Sequence, residues 1–251
     1  MSNKKIEIMD TTLRDGEQTS GISFSPIEKL SISKLLLEEL KVDRIEVASA
    51  RVSEGEMKAV KLITDWAKDS GFDDKIEILS FVDEGSSIKW MEKSGAKTQN
   101  LLTKGSINHL KNQIKKTPSQ HFKDISKVIQ YAEDHGIRTN VYLEDWSNGM
   151  KNSKSYVMDM VQFLSEKTID RILLPDTLGV LTPNLTKEFI KDITNNYPKI
   201  HFDFHAHNDY DLSVANVIES IRNGCKGIHI TVNGMGERAG NAPLASVVAV
   251  V

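Results

Sequence analysis

The feature that most constrains this chain is a rhythm. Short runs rich in apolar and β-branched residues alternate with longer stretches of helical periodicity along its whole length. The strand-like runs fall at residues 6–13, 44–50, 76–82, 98–103, 139–144, 171–176, 201–205 and 227–233. Several are nearly continuous in apolar residues, as parallel strands covered on both faces must be. The stretches between them read as amphipathic helices with start and stop signals. Ser25-Pro26-Ile27-Glu28 is a capping box with proline at the first helical position, followed by Leu30, Leu36, Leu37 and Leu40. Thr117-Pro118 opens a helix carrying Phe122, Ile125, Ile129 and Ala132, and Gly136 stops it. Thr182-Pro183 and the stretch from Asp211 to Arg222 repeat the style.

Eight strands, each followed by a helix, predict an α/β chain of the (β/α)8 barrel class. An open doubly wound sheet is the alternative, but no Gly-x-Gly-x-x-Gly follows the first strand. At 251 residues, with no tract rich in Pro, Gly or Ser to divide it, the chain is expected to form one domain over residues 1–251. The last helix is expected to start near Asn241–Ala242. The apolar run at 247–251, ending abruptly, reads as a longer protein cut short.

Composition narrows the function classes. The ordinary charged fraction and formal net charge of −3 argue against a nucleic-acid partner, which usually leaves a basic patch. No apolar run is long enough to cross a bilayer and the first ten residues lack a signal-peptide core, so a cytoplasmic protein with no membrane partner is expected. A single cysteine, Cys225, excludes an internal disulfide framework and a thiolate zinc site. It lies in a loop after a helix and reads as structural.

In a barrel of this class the working residues sit at the C-terminal ends of the strands. Three segments stand out there. Asp10-Thr11-Thr12-Leu13-Arg14-Asp15-Gly16-Glu17-Gln18 packs charge directly behind strand one, where a polar loop with an Arg–Asp pair is the plainer alternative. His205-Ala206-His207-Asn208-Asp209 ends strand seven, and residues i and i+2 of a strand face the same way, so both imidazoles reach one point in the barrel mouth. Asn233-Gly234-Met235-Gly236-Glu237-Arg238-Ala239-Gly240-Asn241 follows strand eight, with glycines for a tight loop and Asn241 as either a ligand or a helix N-cap. Barrel closure puts strand eight between strands seven and one. Asp15, His205, His207 and Asn241 then converge as two imidazoles and two oxygens, a set that suits Mn2+, Mg2+ or Zn2+ with open positions. Glu144 ends strand five, with Tyr142 on the same face, and Thr177 follows strand six. A carboxylate there suits acid–base work, and core packing is the alternative for Tyr142.

Taken together, Asp-Thr-Thr-Leu-Arg-Asp-Gly-Glu-Gln, His-Ala-His-Asn-Asp and Gly-Glu-Arg-Ala-Gly-Asn-Ala-Pro-Leu resemble the DRE-TIM metallolyase superfamily over essentially the whole chain. That superfamily includes 2-isopropylmalate, homocitrate and citramalate synthases and HMG-CoA lyase. The resemblance implies an acyltransferase that condenses acetyl-CoA with a 2-oxo acid, with Asp15, His205, His207 and Asn241 as metal ligands. It implies Arg14 polarising the 2-oxo group, Thr177 holding the substrate carboxylate, Glu144 beside the condensing carbons and Gln18 supporting the site. It further implies a homodimer in the full-length protein, and a linker subdomain and regulatory domain beyond the barrel that this chain lacks.

Within the superfamily, HMG-CoA lyases carry a cysteine in the loop after strand eight, and this loop has none. Homocitrate synthases usually have Arg-Glu-Gly where this chain has Arg14-Asp15-Gly16. The side chain of the oxo acid is expected to meet Leu79, Leu102 and Tyr142. Isopropylmalate enzymes resemble one another in having smaller or polar groups at the last two places. The bulky trio, together with Tyr142-Leu143-Glu144-Asp145-Trp146, resembles citramalate synthases and implies pyruvate and isoleucine biosynthesis. 2-Oxoisovalerate and leucine biosynthesis are the alternative. An aldolase or lyase on the same residues, or a non-catalytic barrel, are the other readings.

Overall fold

A computed structural model describes residues 5–251. Eight strands, β1 (Glu7–Asp10), β2 (Arg44–Ser49), β3 (Ile76–Phe81), β4 (Thr98–Lys104), β5 (Arg138–Glu144), β6 (Arg171–Asp176), β7 (Phe202–Ala206) and β8 (Gly227–Ile230), pair in sequence order. β8 returns to β1 with Ile8 opposite Ile228 and Asp10 opposite Ile230, so the barrel is closed and every pair is parallel. The (β/α)8 fold expected from the rhythm is the fold observed.

The outer layer holds α1 (Pro26–Lys34), α2 (Glu54–Ser70), α3 (Ser86–Ser94), α4 (Ile107–Asn112), α5 (Pro118–Asp134), α6 (Trp146–Asn152), α7 (Lys154–Ser165), α8 (Pro183–Asn196), α9 (Ser213–Arg222) and α10 (Leu244–Val250). The capping signals act as read. The Ser25 and Thr117 hydroxyls each accept from the N–H three residues on, and Glu28 and Gln120 reach back to close the box. Ile125, Ile129 and Ala132 of α5 are buried. Among the described residues, no helix is long and apolar enough to cross a membrane.

Four local expectations are corrected. β1 ends at Asp10 rather than Leu13, because the N–H groups of Arg14, Asp15 and Gly16 all turn onto the carbonyl of Thr11. β8 likewise ends at Ile230 rather than Asn233, where the chain turns at Thr231 with Asn233 at φ 55°. Helix α1 passes into a π-turn at Leu35–Glu39, which rotates Leu40 outward to 55% exposure. The last helix begins at Leu244, not at Asn241–Ala242, so Asn241 is not its N-cap. Asn241 forms a bridge with His207, and the N–H of Ala242 donates to the carbonyl of Ala206.

The main core lies between barrel and helices. Leu101, Val141, Leu143, Ile172, Leu174 and Phe204 face outward into it, against Trp146, Val157 and Ile190. Inside the barrel, Met9, Leu79, Tyr142 and Leu173 form a small apolar layer with Leu102 against it. Below that layer the interior is ionic: Arg44 meets Glu77 at 2.9 Å and Asp203 at 2.5 Å. The apolar layer is therefore the floor of whatever cavity opens at the C-terminal mouth.

Candidate active site

The turn after β1 winds Arg14 and Asp15 over the mouth of the barrel, and both are almost fully covered. Asp15 Oδ2 stands 3.1 Å from His205 Nε2, 3.7 Å from His207 Nε2 and 3.2 Å from Arg14 Nη1. The two Nε2 atoms are 3.4 Å apart. One carboxylate oxygen and two imidazole nitrogens thus lie within 4.8 Å of one another, all buried. Burial opposes the charge on Asp15, but Arg14 and the two imidazoles outweigh it and hold the carboxyl well below its ordinary range. Burial lowers both histidines, His207 to about 4. At neutral pH the site therefore presents an ionised carboxylate and two neutral rings with lone pairs available.

That donor set fits a divalent metal. Two ring nitrogens aimed at each other beside a carboxylate leave at least one nitrogen without a proton to share, the pattern a cation resolves. Asn241 adds a fourth donor atom, a second oxygen, to the neighbourhood: its Nδ2 donates to the Met235 carbonyl at 3.0 Å, while its Oδ1 is buried with no hydrogen-bond partner among the described residues. The glycines of the β8 loop permit this approach. A Cβ on Gly236 would sit 2.1 Å from Asn241 Nδ2, and one on Gly240 2.0 Å from the Gly234 carbonyl.

Arg14 is aimed by residues that strand-end reasoning missed. Its Nε donates to Glu46, an inward-facing residue in the middle of β2. Glu46 in turn accepts from Asn100 Nδ2 at 2.7 Å, and Asn100 from Asn140 at 2.8 Å. Glu46 and Asp15 keep the guanidinium charged in spite of its burial. The signal was present as a charged residue inside an otherwise apolar strand.

Across the mouth, Glu144 at the end of β5 pairs with Lys104 at the end of β4 and has His109 Nδ1 at 3.8 Å. Lys104 and His109 were not anticipated. Thr177, just past β6, accepts from the backbone N–H of Asp145 at 2.9 Å through Oγ1. Its own hydroxyl hydrogen is left free to donate.

Arg14, Asp15, Gln18, Leu79, Leu102, Tyr142, Glu144, Thr177, His205 and His207 all line one cavity of about 160 Å³. Pro175 and Glu237 complete its wall. Of the residues singled out in the sequence, only Asn241 stands behind the wall rather than in it. Gln18 is exposed at the rim, on a single 3-10 turn.

The sequence matches the model of the HMGL-like family over residues 5–251. Among curated relatives it is 37% identical to the (R)-citramalate synthase of Methanocaldococcus jannaschii, over 97% of this chain and 48% of that protein. It is 37% identical to a probable 2-isopropylmalate synthase of Ignicoccus hospitalis, over 98% of this chain and 59% of that protein. To the homocitrate synthase of Sulfolobus acidocaldarius it is 32% identical, over 98% and 51%. The chain thus spans about half the length of these curated relatives. Among solved structures, the hydroxymethylglutaryl-CoA lyase of Pseudomonas aeruginosa superposes with a TM-score of 0.76 at 19% identity, covering 98% of this chain and 84% of that one.

Proposed function

This chain belongs to the HMGL-like family, and from that premise we propose that it condenses acetyl-CoA with pyruvate to give (R)-citramalate. The observation that carries the reading is the meeting of two groups in one small cavity. Leu79, Leu102 and Tyr142 face Arg14, Asp15, Thr177, His205 and His207 across about 160 Å³.

Asp15, His205 and His207, with Asn241 beside them, hold a divalent cation, Mn2+, Mg2+ or Zn2+. When bound, the cation supplies Lewis-acid polarisation of the oxo acid's carbonyl. Arg14, fixed by Glu46, donates to the same carbonyl oxygen and to the alkoxide it becomes. Thr177 gives its free hydroxyl hydrogen to the substrate carboxylate. Glu144, locked to Lys104, stands where the two carbons join. A base takes a proton from the acetyl methyl, the resulting carbanion attacks the oxo carbon, and the alkoxide is protonated. Water then splits the thioester to leave a carboxylate and free coenzyme A.

The three apolar side chains set the substrate. They leave room for a methyl group, and the two further carbons of an isopropyl group overlap them, at a cost of about 1–3 kcal/mol. Arg14-Asp15-Gly16, where homocitrate synthases usually have Arg-Glu-Gly, counts against the homocitrate reading. The equal identity to a probable 2-isopropylmalate synthase favours 2-oxoisovalerate as the second reading. The test is release of free coenzyme A from acetyl-CoA, read with a thiol reagent, for each oxo acid in the presence of Mn2+. Release that requires pyruvate supports the proposal. Release with 2-oxoisovalerate instead moves the assignment to isopropylmalate. Cleavage of a 2-hydroxy acid without coenzyme A would place the site among the lyases.

A further inference from the structure

Tyr142 has two sides. One lines the substrate cavity, and the other reaches through its hydroxyl to His229 Nδ1 at 3.0 Å. His229 stands on β8, opposite His205 of β7 and Met9 of β1 in register, and it is buried beneath the cavity rather than in its wall. Its other nitrogen, Nε2, lies 3.2 Å from Asp203 Oδ2. Asp203 is fully buried, with Arg44 Nη2 at 2.5 Å and His201 Nε2 at 3.0 Å.

These contacts fix the direction of every hydrogen bond in the chain. Arg44 keeps Asp203 a carboxylate, and a carboxylate only accepts. His229 must therefore carry its hydrogen on Nε2, which leaves Nδ1 of the neutral ring a bare acceptor. Tyr142 is the donor. Packing reinforces the link: the Tyr142 ring meets His229 edge-on at 5.6 Å and 83°, and His205 at 6.1 Å and 87°.

We infer that His229 is a positioning residue that sets the width of the oxo-acid pocket by anchoring the Tyr142 hydroxyl. The inference rests on the reading of the cavity as the oxo-acid site. Turning Tyr142 away from a larger substrate breaks its hydroxyl's bond to His229 at the apolar layer of Met9, Leu79 and Leu173, which forfeits a buried hydrogen bond. With the anchor in place the wall is stiff. With the anchor gone the ring regains rotamer freedom and yields to one more methylene.

The experiment compares calorimetric affinities for pyruvate and 2-oxobutyrate, with Mn2+ present, in this chain and in His229→Leu, His229→Asn, Tyr142→Phe and the double variant His229→Leu/Tyr142→Phe. Tyr142→Phe removes one atom and leaves the ring in place, so it reports on the anchor without a new cavity. The expected result is a shift of preference toward 2-oxobutyrate of about tenfold in His229→Leu and in Tyr142→Phe, the worth of one buried hydrogen bond. The double variant should add little to either, and His229→Asn, which restores an acceptor, should recover most of the preference. An unchanged ratio in Tyr142→Phe, with His229→Leu weakening both acids alike, would overturn the inference. Failure of the unsubstituted chain to bind either acid is a different result, and refutes the reading of the cavity itself.

Discussion

Replacing Lys29 by methionine should loosen the turn that carries Arg14 and Asp15. Lys29 is fully buried in α1 and its ammonium meets four acceptors: the Leu13 carbonyl at 3.0 Å, the Val47 carbonyl at 3.3 Å, Glu56 at 2.8 Å and Glu17 at 2.6 Å. Leu13 immediately precedes Arg14, so one side chain ties the site turn to β2, to α2 and to the 3-10 turn holding Gln18. Methionine keeps the length of the stem and removes all of these bonds. Breaking a buried pair costs about 3–5 kcal/mol, because the remaining charge is stranded. Glu56 and Glu17 keep some access to water, which places the loss near the low end, about 3 kcal/mol. For a chain of this size that is a fall in Tm of roughly 6–12 °C. The assay is thermal unfolding by circular dichroism, with Lys61→Met as the control. Lys61 is exposed and, among the described residues, pairs only with Asp65 at 3.1 Å, so its loss should move Tm by less than about 2 °C. Pyruvate affinity should weaken in Lys29→Met alone. A Lys29→Met chain as stable as the control and unchanged in affinity would refute the argument that this ammonium holds the turn.

Three further outcomes follow from the same geometry. Tyr142→Ser should open the pocket and raise the rate with 2-oxoisovalerate relative to pyruvate by about tenfold or more, and unchanged relative rates would count against the pocket. Stability should depend on pH through His121, a buried ring whose Nε2 accepts from the Lys104 N–H at 3.1 Å and which burial lowers to about 4. The unfolded ring binds a proton below about 6.5 and the folded ring does not until about 4, so stability is full above that upper value and falls by about 3 kcal/mol as pH drops through the window. Urea titrations of His121→Phe should show a flatter slope there. Gly149→Ala should destabilise by about 3 kcal/mol or more, because its Cβ would lie 2.0 Å from the Gly105 carbonyl in the backbone that supports Glu144. A Tm within about 2 °C of the parent would disprove that close approach.

The barrel was legible because each level of the sequence pointed the same way. Apolar runs such as residues 171–176 marked strands covered on both faces, and Ser25, Thr117 and Thr182 marked helix starts, all of which cap as read. The convergence of Asp15, His205 and His207 followed from strand order alone. What escaped was set by contacts between distant segments. Asn241 opens no helix because its backbone is taken by the bridge to His207. β1 and β8 stop early because Thr11 and Thr231 begin turns that no local pattern announces. Glu46 and Asn100 lie in mid-strand, where attention to strand ends passes over them, yet they aim Arg14. Lys104 and His109 become partners of Glu144 only once β4 and β5 are in register.

We propose that Asp15, His205 and His207 form a metal-dependent site for a small 2-oxo acid. The most direct measurement is calorimetric titration of this chain with pyruvate and with 2-oxoisovalerate, with Mn2+ present, after chelation, and in His207→Ala. Binding should require the metal, prefer pyruvate and be lost in His207→Ala. Binding that persists after chelation or in His207→Ala, or no binding of either acid with the metal present, would contradict it.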